Sequence, residues 1–518
     1  MPTPSEKLAS SLTVLRTIQE SGRRVFLSSE FGRTDRERLL KSGFLAEVIK
    51  GWLISSSPNA RDGDSTPWYA SFWEFCSRYC DKRFGSDWHL SPEQSLFLHA
   101  ERTVVPSQVV VYSPLGKNNK MDLPNGTSLF DLKVEGMPPA RDLVERDGLR
   151  LFSAAASLVR VPERLYMRHP VEARIVLAGL REASEVLEPL LEGGQSFVAG
   201  RLAGAFRRIG RPAIAGEIVA TMKSAGYDVR ENDPFAEEHV VVPLTAAAPI
   251  AGRLQVLWEL MRGRVAALMP QLPGLPGDGW AYLRFVDESY RDDAYHSLSI
   301  EGYRVTPDLI ERVRTRGWNP EHDVGDHQSR DALSARGYWQ AFQMVKEDVT
   351  RIIDGADAAK LVRASHRTWY RELFQPCVLA GLFPPGALAG YRNDAVYLRT
   401  SRYVPPRWEA VRDAMPVLFQ LLAAEESAFV RAVLGHWMFG YIHPFPDGNG
   451  RMARFLMNAM LASGGYPWTV IRVDDRDSYL SALDRASIDM DIEPFAALIA
   501  RRVNDAMERT ATAYRRRT

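Results

Sequence analysis

HPFPDGNGRMAR, residues 443–454, places one histidine, one acid, two glycines around an asparagine and two arginines in twelve positions. An almost wholly apolar stretch, SAFVRAVLGHWMFGYI, runs into it, and RMARFLMNAMLAS runs out to Gly464-Gly465. With no polar face, the incoming stretch reads as a buried central helix. Pro444 stops it and leaves His443 at its C-terminal end. The outgoing helix begins near Gly450 and ends at the glycine pair. The loop Asp447-Gly448-Asn449-Gly450 therefore opens onto a helix N-terminus, where N–H groups lack partners and the dipole is positive. Glycines let an anion approach such a backbone closely.

Arg451 and Arg454 lie three apart at the start of this helix and can reach one ligand. Two cations at a positive helix end call for an anion, and a polyphosphate is the natural candidate. A carboxylate beside bound phosphates is a common Mg²⁺ ligand, which gives Asp447 a role. His443 is neutral at physiological pH if its pKa is near the ordinary 6.5, and so can take a proton from an attacking hydroxyl. Singly, each feature is ordinary: GNG is a turn, and a histidine after a buried helix is usually structural. Their coincidence at this spacing sets the segment apart.

The segment matches every specified position of the Fic-domain motif HPFx(D/E)GNGRxxR. GYRNDAVYLRTSRYVPP (390–406) resembles that family's flap hairpin, and SHRTWYRELF (365–374) and DSYLSALDRASIDMDIEPF (477–495) resemble its flanking helices. The resemblance covers about residues 290–505. It implies an all-α Fic fold with a β-hairpin flap that transfers AMP from ATP to a protein Tyr, Ser or Thr hydroxyl, the acceptor being another protein or the chain itself. It further implies that His443 is the base and Asp447 the Mg²⁺ ligand. The 448–450 backbone and the Asn449 side chain would hold phosphates, and Arg451 and Arg454 would contact the β/γ end. Phe445 would be a core anchor, Tyr479 would lie near the nucleotide base, and the flap would align the target by strand pairing.

Upstream, HSLSIEGYRVT contains Ser297, Glu301 and Gly302 in the family's inhibitory pattern (S/T)xxxE(G/N). The resemblance implies that Glu301 pairs with Arg454 and takes the place that the γ-phosphate needs. Some relatives also use this glutamate to hydrolyse the AMP–protein bond, and deAMPylation stays open. Relatives that transfer phosphate alter the glycine before the asparagine. Gly448 is intact, which favours adenylylation over phosphate or phosphocholine transfer.

A chain of 518 residues is too long for one hydrophobic core, and its organisation reads as multidomain and mainly α. Residues 1–57 read as a winged helix-turn-helix: a helix over 5–20, a short segment at Ser28–Phe31, the helix TDRERLLKSG and a hairpin. Arg33, Arg36, Arg38 and Lys41 on its last helix are candidate DNA contacts, although Asp35 and Glu37 interrupt them. Residues 58–235 read as a small α+β region followed by helices, 236–335 as a helical segment carrying the inhibitory motif, and 336–518 as the Fic core. The first 235 residues resemble AbiEi-type antitoxins and transcriptional regulators in organisation. That resemblance implies DNA binding and a competing role, a regulator whose Fic half senses ATP.

Composition is that of an ordinary soluble protein, 45% hydrophobic and 25% charged, and the net charge of +1 leaves any nucleic-acid surface local. Neither a signal-peptide core nor an apolar run of membrane-spanning length is expected. Cys76, Cys80 and Cys377 are too few for a disulfide framework and read as packing residues, in keeping with a cytoplasmic protein.

Overall fold

The computed structural model describes residues 3–20, 22–58, 63–235, 248–315 and 329–515. Contacts divide the chain into two compact units, Met1–Arg253 with Tyr397–Val404, and Leu254–Val396 with Pro405–Thr518. The boundary expected at 235/236 abuts residues 236–247, which lie outside the described residues.

The first unit opens with a helix, Pro4–Gln19, whose N-cap Thr3 exchanges hydrogen bonds with Glu6 in a capping box. There follow β1 (Val25–Leu27), a single 3₁₀ turn (Ser28–Glu30), a helix (Arg33–Lys41), and the hairpin β2 (Leu45–Ile49) and β3 (Trp52–Ser55). The sheet order is β1-β3-β2. Leu15, Phe26, Phe31, Leu39, Leu45 and Leu53 form its small core. A second core lies under the helix Thr66–Phe84, in which Cys76 and Cys80 are fully buried packing groups. The strands of the α+β region are β5 (Gln108–Ser113), β6 (Asn119–Leu123) and β7 (Thr127–Lys133). With β4 (His89–Leu90) they make a four-stranded sheet in which β5 and β7 run parallel. A hairpin, β8 (Leu143–Arg146) and β9 (Leu149–Phe152), leads into helices that run to Ser224.

The expected flap hairpin is corrected: residues 390–404 form no strand pair. Its later half, Tyr397–Val404, instead belongs to the first unit. Val105 N donates to Arg402 O at 2.8 Å, and Tyr397 and Val404 pack against the core under Thr66–Phe84. Thr400 turns the chain with φ of 64°. A strand whose carbonyls and side chains are committed elsewhere cannot zip to its neighbour.

In the second unit, the helix Ala428–Ile442 is the axis. Of its fifteen residues only Arg431 and Gly440 are not fully buried, as its apolar circumference requires. Asn449–Ala462 packs beside it, and Gly435 admits Leu422 and Leu456, which a Cβ there would meet at 2.9 and 2.8 Å. The helices Arg330–Ile353 and Ala358–Leu379 cross closely at Gly337, where a Cβ would lie 2.0 Å from Leu373 O. That close approach fixes the helix bearing Tyr370 and Phe374, which wall the 443–454 loop. Among the described residues, no helix is long and apolar enough to cross a membrane.

Candidate active site

His443 caps the buried helix in the left-handed conformation, φ 51° and ψ 59°. A non-glycine residue rarely adopts this backbone, and it persists only where its surroundings enforce it. Arg392 supplies that enforcement. Its N–H donates to Pro444 O at 2.9 Å and its Nε to His443 O at 2.8 Å, with the side chain only 2% exposed. His443 Nδ1 lies 3.2 Å from Gly440 O. A carbonyl partner makes Nδ1 the protonated nitrogen and leaves the Nε2 lone pair for an incoming proton. Burial pulls the imidazole down to about 4, the Gly440 carbonyl partly opposes this, and Arg392 adds to it. His443 is therefore neutral throughout the physiological range.

Beyond it the loop is stitched. Phe445 is fully buried and stacks on Tyr370 with ring centroids 3.9 Å apart. Asn449 Oδ1 accepts from Phe445 N at 2.9 Å, and Asn449 Nδ2 donates to Phe445 O at 2.8 Å. Both polar atoms of the Asn449 amide thus brace the loop, while its second Nδ2 hydrogen and its backbone N–H remain for an anion. Gly448 takes φ 74° and sits so near Phe374 that a Cβ would meet the ring at 2.7 Å. It caps the helix Asn449–Ala462 without a side-chain hydrogen bond, so the N–H groups of the first turn stay available.

Both arginines are buried. Arg451, 1% exposed, lies between the rings of Tyr303 and Phe374 at 5.1 and 5.0 Å, its Nε without a hydrogen-bond partner. Arg454, 3% exposed, is held by the expected inhibitory motif. Its Nε donates to Ser297 Oγ at 2.8 Å, and its Nη2 donates to Ser297 O at 3.1 Å and to Glu301 Oε1 at 2.7 Å. Glu301 caps the helix Gly279–Ile300, and Gly302 turns the chain out of it at φ 87°. A guanidinium at a helix C-terminus meets the negative end of that dipole. Although burial opposes it, the charge of Arg454, then that of Arg451, holds the Glu301 carboxyl below the usual range. The carboxylate also lies over Gly450, where a Cβ would be 2.3 Å from Oε1. An anion thus already sits on the helix N-terminus.

Tyr479 is 1% exposed, with its hydroxyl 3.4 Å from Arg454 Nη1 and 3.0 Å from His436 Nε2. Its ring packs against His436 and Phe495. Its hydroxyl steadies Arg454. His436 is a packed, neutral histidine, pulled to about 3 by burial.

Among the described residues, no group of three or more His, Cys, Asp or Glu could hold a metal alone. Asp447 Oδ1 accepts from Gly448 N at 2.6 Å, and Oδ2 lies 4.0 Å from Arg330 Nη2. One half-exposed carboxylate with an oxygen to spare suits Mg²⁺ shared with phosphates. In the first unit, the four basic residues read as DNA contacts are partly spent. Arg33 pairs with Glu37 at 2.9 Å, Arg36 donates to Ser28 O, and Arg38 donates to Lys7 O and Ser11 Oγ. Lys41 ends the helix.

Three site residues escaped the sequence reading: Arg392, Tyr303 and Phe374. All three stand inside quoted stretches, but nothing in their spacing marked them.

The Fic/DOC family model matches residues 358–461. A protein adenylyltransferase Fic of Nematostella vectensis is 26% identical over 358 residues, 64% of this chain and 78% of that one. One of Culex quinquefasciatus is 35% identical over 233 residues, 44% of this chain and 42% of that one. The chain spans under half the length of the matched Drosophila relatives, 44% of that of Drosophila melanogaster, which is 29% identical over 240 residues. Fic-1 of C. elegans, a solved structure, is 17% identical with a TM-score of 0.39, covering 68% of this chain and 98% of that one.

The electrostatics of His443 can be read directly by histidine NMR of the full chain. His443 is expected to titrate near 4, and Arg392→Met to raise that value by removing a neighbouring cation. Titration near the ordinary 6.5 would contradict the buried, neutral base.

Proposed function

We propose that this chain, whose residues 358–461 match the Fic/DOC family, is a self-inhibited protein adenylyltransferase. In this reading the ATP phosphates occupy the N-terminus of the helix Asn449–Ala462, with Arg451 and Arg454 as their cationic partners. Asp447 holds Mg²⁺, which when bound neutralises phosphate charge. The acceptor hydroxyl of a protein Tyr, Ser or Thr attacks the α-phosphorus. Its proton goes to His443 Nε2, the bond to the β-phosphate bridging oxygen breaks, and pyrophosphate leaves. Arg392 keeps the His443 backbone in place, so the base needs no rearrangement.

The observation that carries the reading is Glu301 Oε1 at 2.7 Å from Arg454 Nη2 and above Gly450. A carboxylate there excludes a γ-phosphate from the same donors, which supports a nearly silent resting enzyme. The names of the matched relatives support AMP transfer, and the intact Gly448 supports it over phosphate or phosphocholine transfer.

Glu301→Gly should incorporate label from α-labelled ATP at least about tenfold faster than the wild type, the scale set by one charge-assisted hydrogen bond. It should incorporate none from γ-labelled ATP. Adding His443→Ala should remove at least about a hundredfold of that rate, the usual contribution of a general base. Equal incorporation by wild type and Glu301→Gly would refute self-inhibition. ATP binding without transfer in any variant would favour the alternative, a regulator that senses ATP.

For the first unit we propose DNA binding through a winged-helix surface. Its support is the element order helix, strand, turn, helix, hairpin with sheet order β1-β3-β2. The engaged arginines restrict it. Retention of duplex DNA by the full chain should fall steeply with salt, and no retention at low salt would end this reading.

A further inference from the structure

A cleft of about 600 Å³ opens between the helices Ala358–Leu379 and Val411–Ala424 and the segment Ala389–Asn393, apart from the phosphate site. Its lining includes Arg363, Arg367 and Arg412 and no carboxylate. Arg363 and Arg367 are one helical turn apart on the same face, an arrangement that destabilises a helix through like-charge repulsion. Arg412 stands in the first turn of the next helix, where the dipole opposes a cation. No salt bridge joins any of the three to a carboxylate among the described residues. Three costly placements that converge on one cleft fit an anion supplied from outside.

Two of the guanidiniums are already positioned. Arg367 lies over the Tyr391 ring at 4.5 Å. Arg412 lies over Trp408 at 5.1 Å and donates to Asn393 Oδ1 at 2.7 Å. Stacked guanidiniums lose little freedom on binding and keep their edge N–H groups for a planar anion. The cleft floor is neutral: His366, 3% exposed and pulled to about 4 by burial, lies 2.8 Å from the Tyr391 hydroxyl. Tyr391 has Arg367 over its ring and His366 stacked beside it, at 5.9 Å between centroids, so it offers no platform for a nucleotide base. The wall of the cleft, Tyr391–Asn393, also contains Arg392, which holds the His443–Pro444 peptide. A chain seated in the cleft is therefore seated beside the base.

We propose that the Arg363–Arg367–Arg412 cleft docks an acidic segment of the protein that receives AMP, so that acceptors are selected for carboxylate side chains near the modified hydroxyl. The proposal rests on the adenylyl-transfer reading for its meaning, and its test is a binding measurement without ATP, so that either can fail alone.

The probe is a fluorescein-labelled peptide of one tyrosine flanked by four glutamates on each side, with a Ser/Gly-flanked peptide as control. Anisotropy is measured on the full chain at low salt. The acidic peptide should bind and the control should not. Arg367→Gln/Arg412→Gln should weaken binding at least about tenfold, as expected for two lost charge pairs. Arg363→Gln, an exposed change that leaves the packed residues untouched, should weaken it severalfold. Failure of the wild type to bind the acidic peptide, or unchanged binding by Arg363→Gln, would overturn the proposal. So would complete displacement by 10 mM inorganic phosphate, which would mark a free-anion site. In the Glu301→Gly background, absence of transfer to any protein while the peptide still binds would count against the transfer reading alone.

Discussion

A guanidinium buried to 3% exposure must be surrounded by acceptors, because a charge removed from water without compensation costs several kcal/mol. Arg454 meets this demand with Ser297 Oγ, Ser297 O and Glu301 Oε1, and with the Tyr479 hydroxyl near Nη1. The other features of the site follow from that constraint. A helix N-terminus and two arginines make a place for anions, and in the free protein that place is filled by Glu301. On the proposed function, inhibition would need no extra machinery, because the same charge balance that stabilises the empty site would keep a competing phosphate out.

The catalytic loop is rigid for a complementary reason. His443 takes a left-handed backbone that its own side chain does not favour. Three independent ties hold it there: Pro444 ending the helix, Arg392 bonding both carbonyls of the His443–Pro444 unit, and Asn449 bonded twice to Phe445. Gly448 has both a positive φ and a phenyl ring where a Cβ would be. The loop is thus set before any ligand arrives, the arrangement that lowers the reorganisation needed at reaction.

The local parts of this account were legible in the sequence. A wholly apolar helix, a proline stop and a glycine-flanked asparagine before two arginines carry their meaning in their spacing. The pairing of Glu301 with Arg454 was legible through motif resemblance, although the two lie some 150 positions apart. Arg392 was not, because its value comes from bonds to carbonyls about fifty residues away that no periodicity announces. The bonds of Asn449 to Phe445, and of Tyr479 to His436 and Arg454, were not legible either, because no spacing announces them. The flap misled for a related reason: the Val396-Tyr397-Leu398 run after a Gly and an Asn suits a strand, but the partners of Tyr397–Val404 lie in the first unit. In the first sixty residues, the short segment expected at Ser28–Phe31 is a 3₁₀ turn, a conformation that propensity alone does not resolve.

The central claim is that Glu301 occupies the place of the γ-phosphate. Calorimetric titration with ATP and with ADP, each with Mg²⁺, tests it most directly. The wild type should bind the two nucleotides with similar affinity, because the γ-phosphate finds its donors taken. Glu301→Gly should bind ATP at least about tenfold more tightly than ADP, the scale of one charge-assisted hydrogen bond. A wild type that already prefers ATP as strongly as Glu301→Gly does would contradict the account.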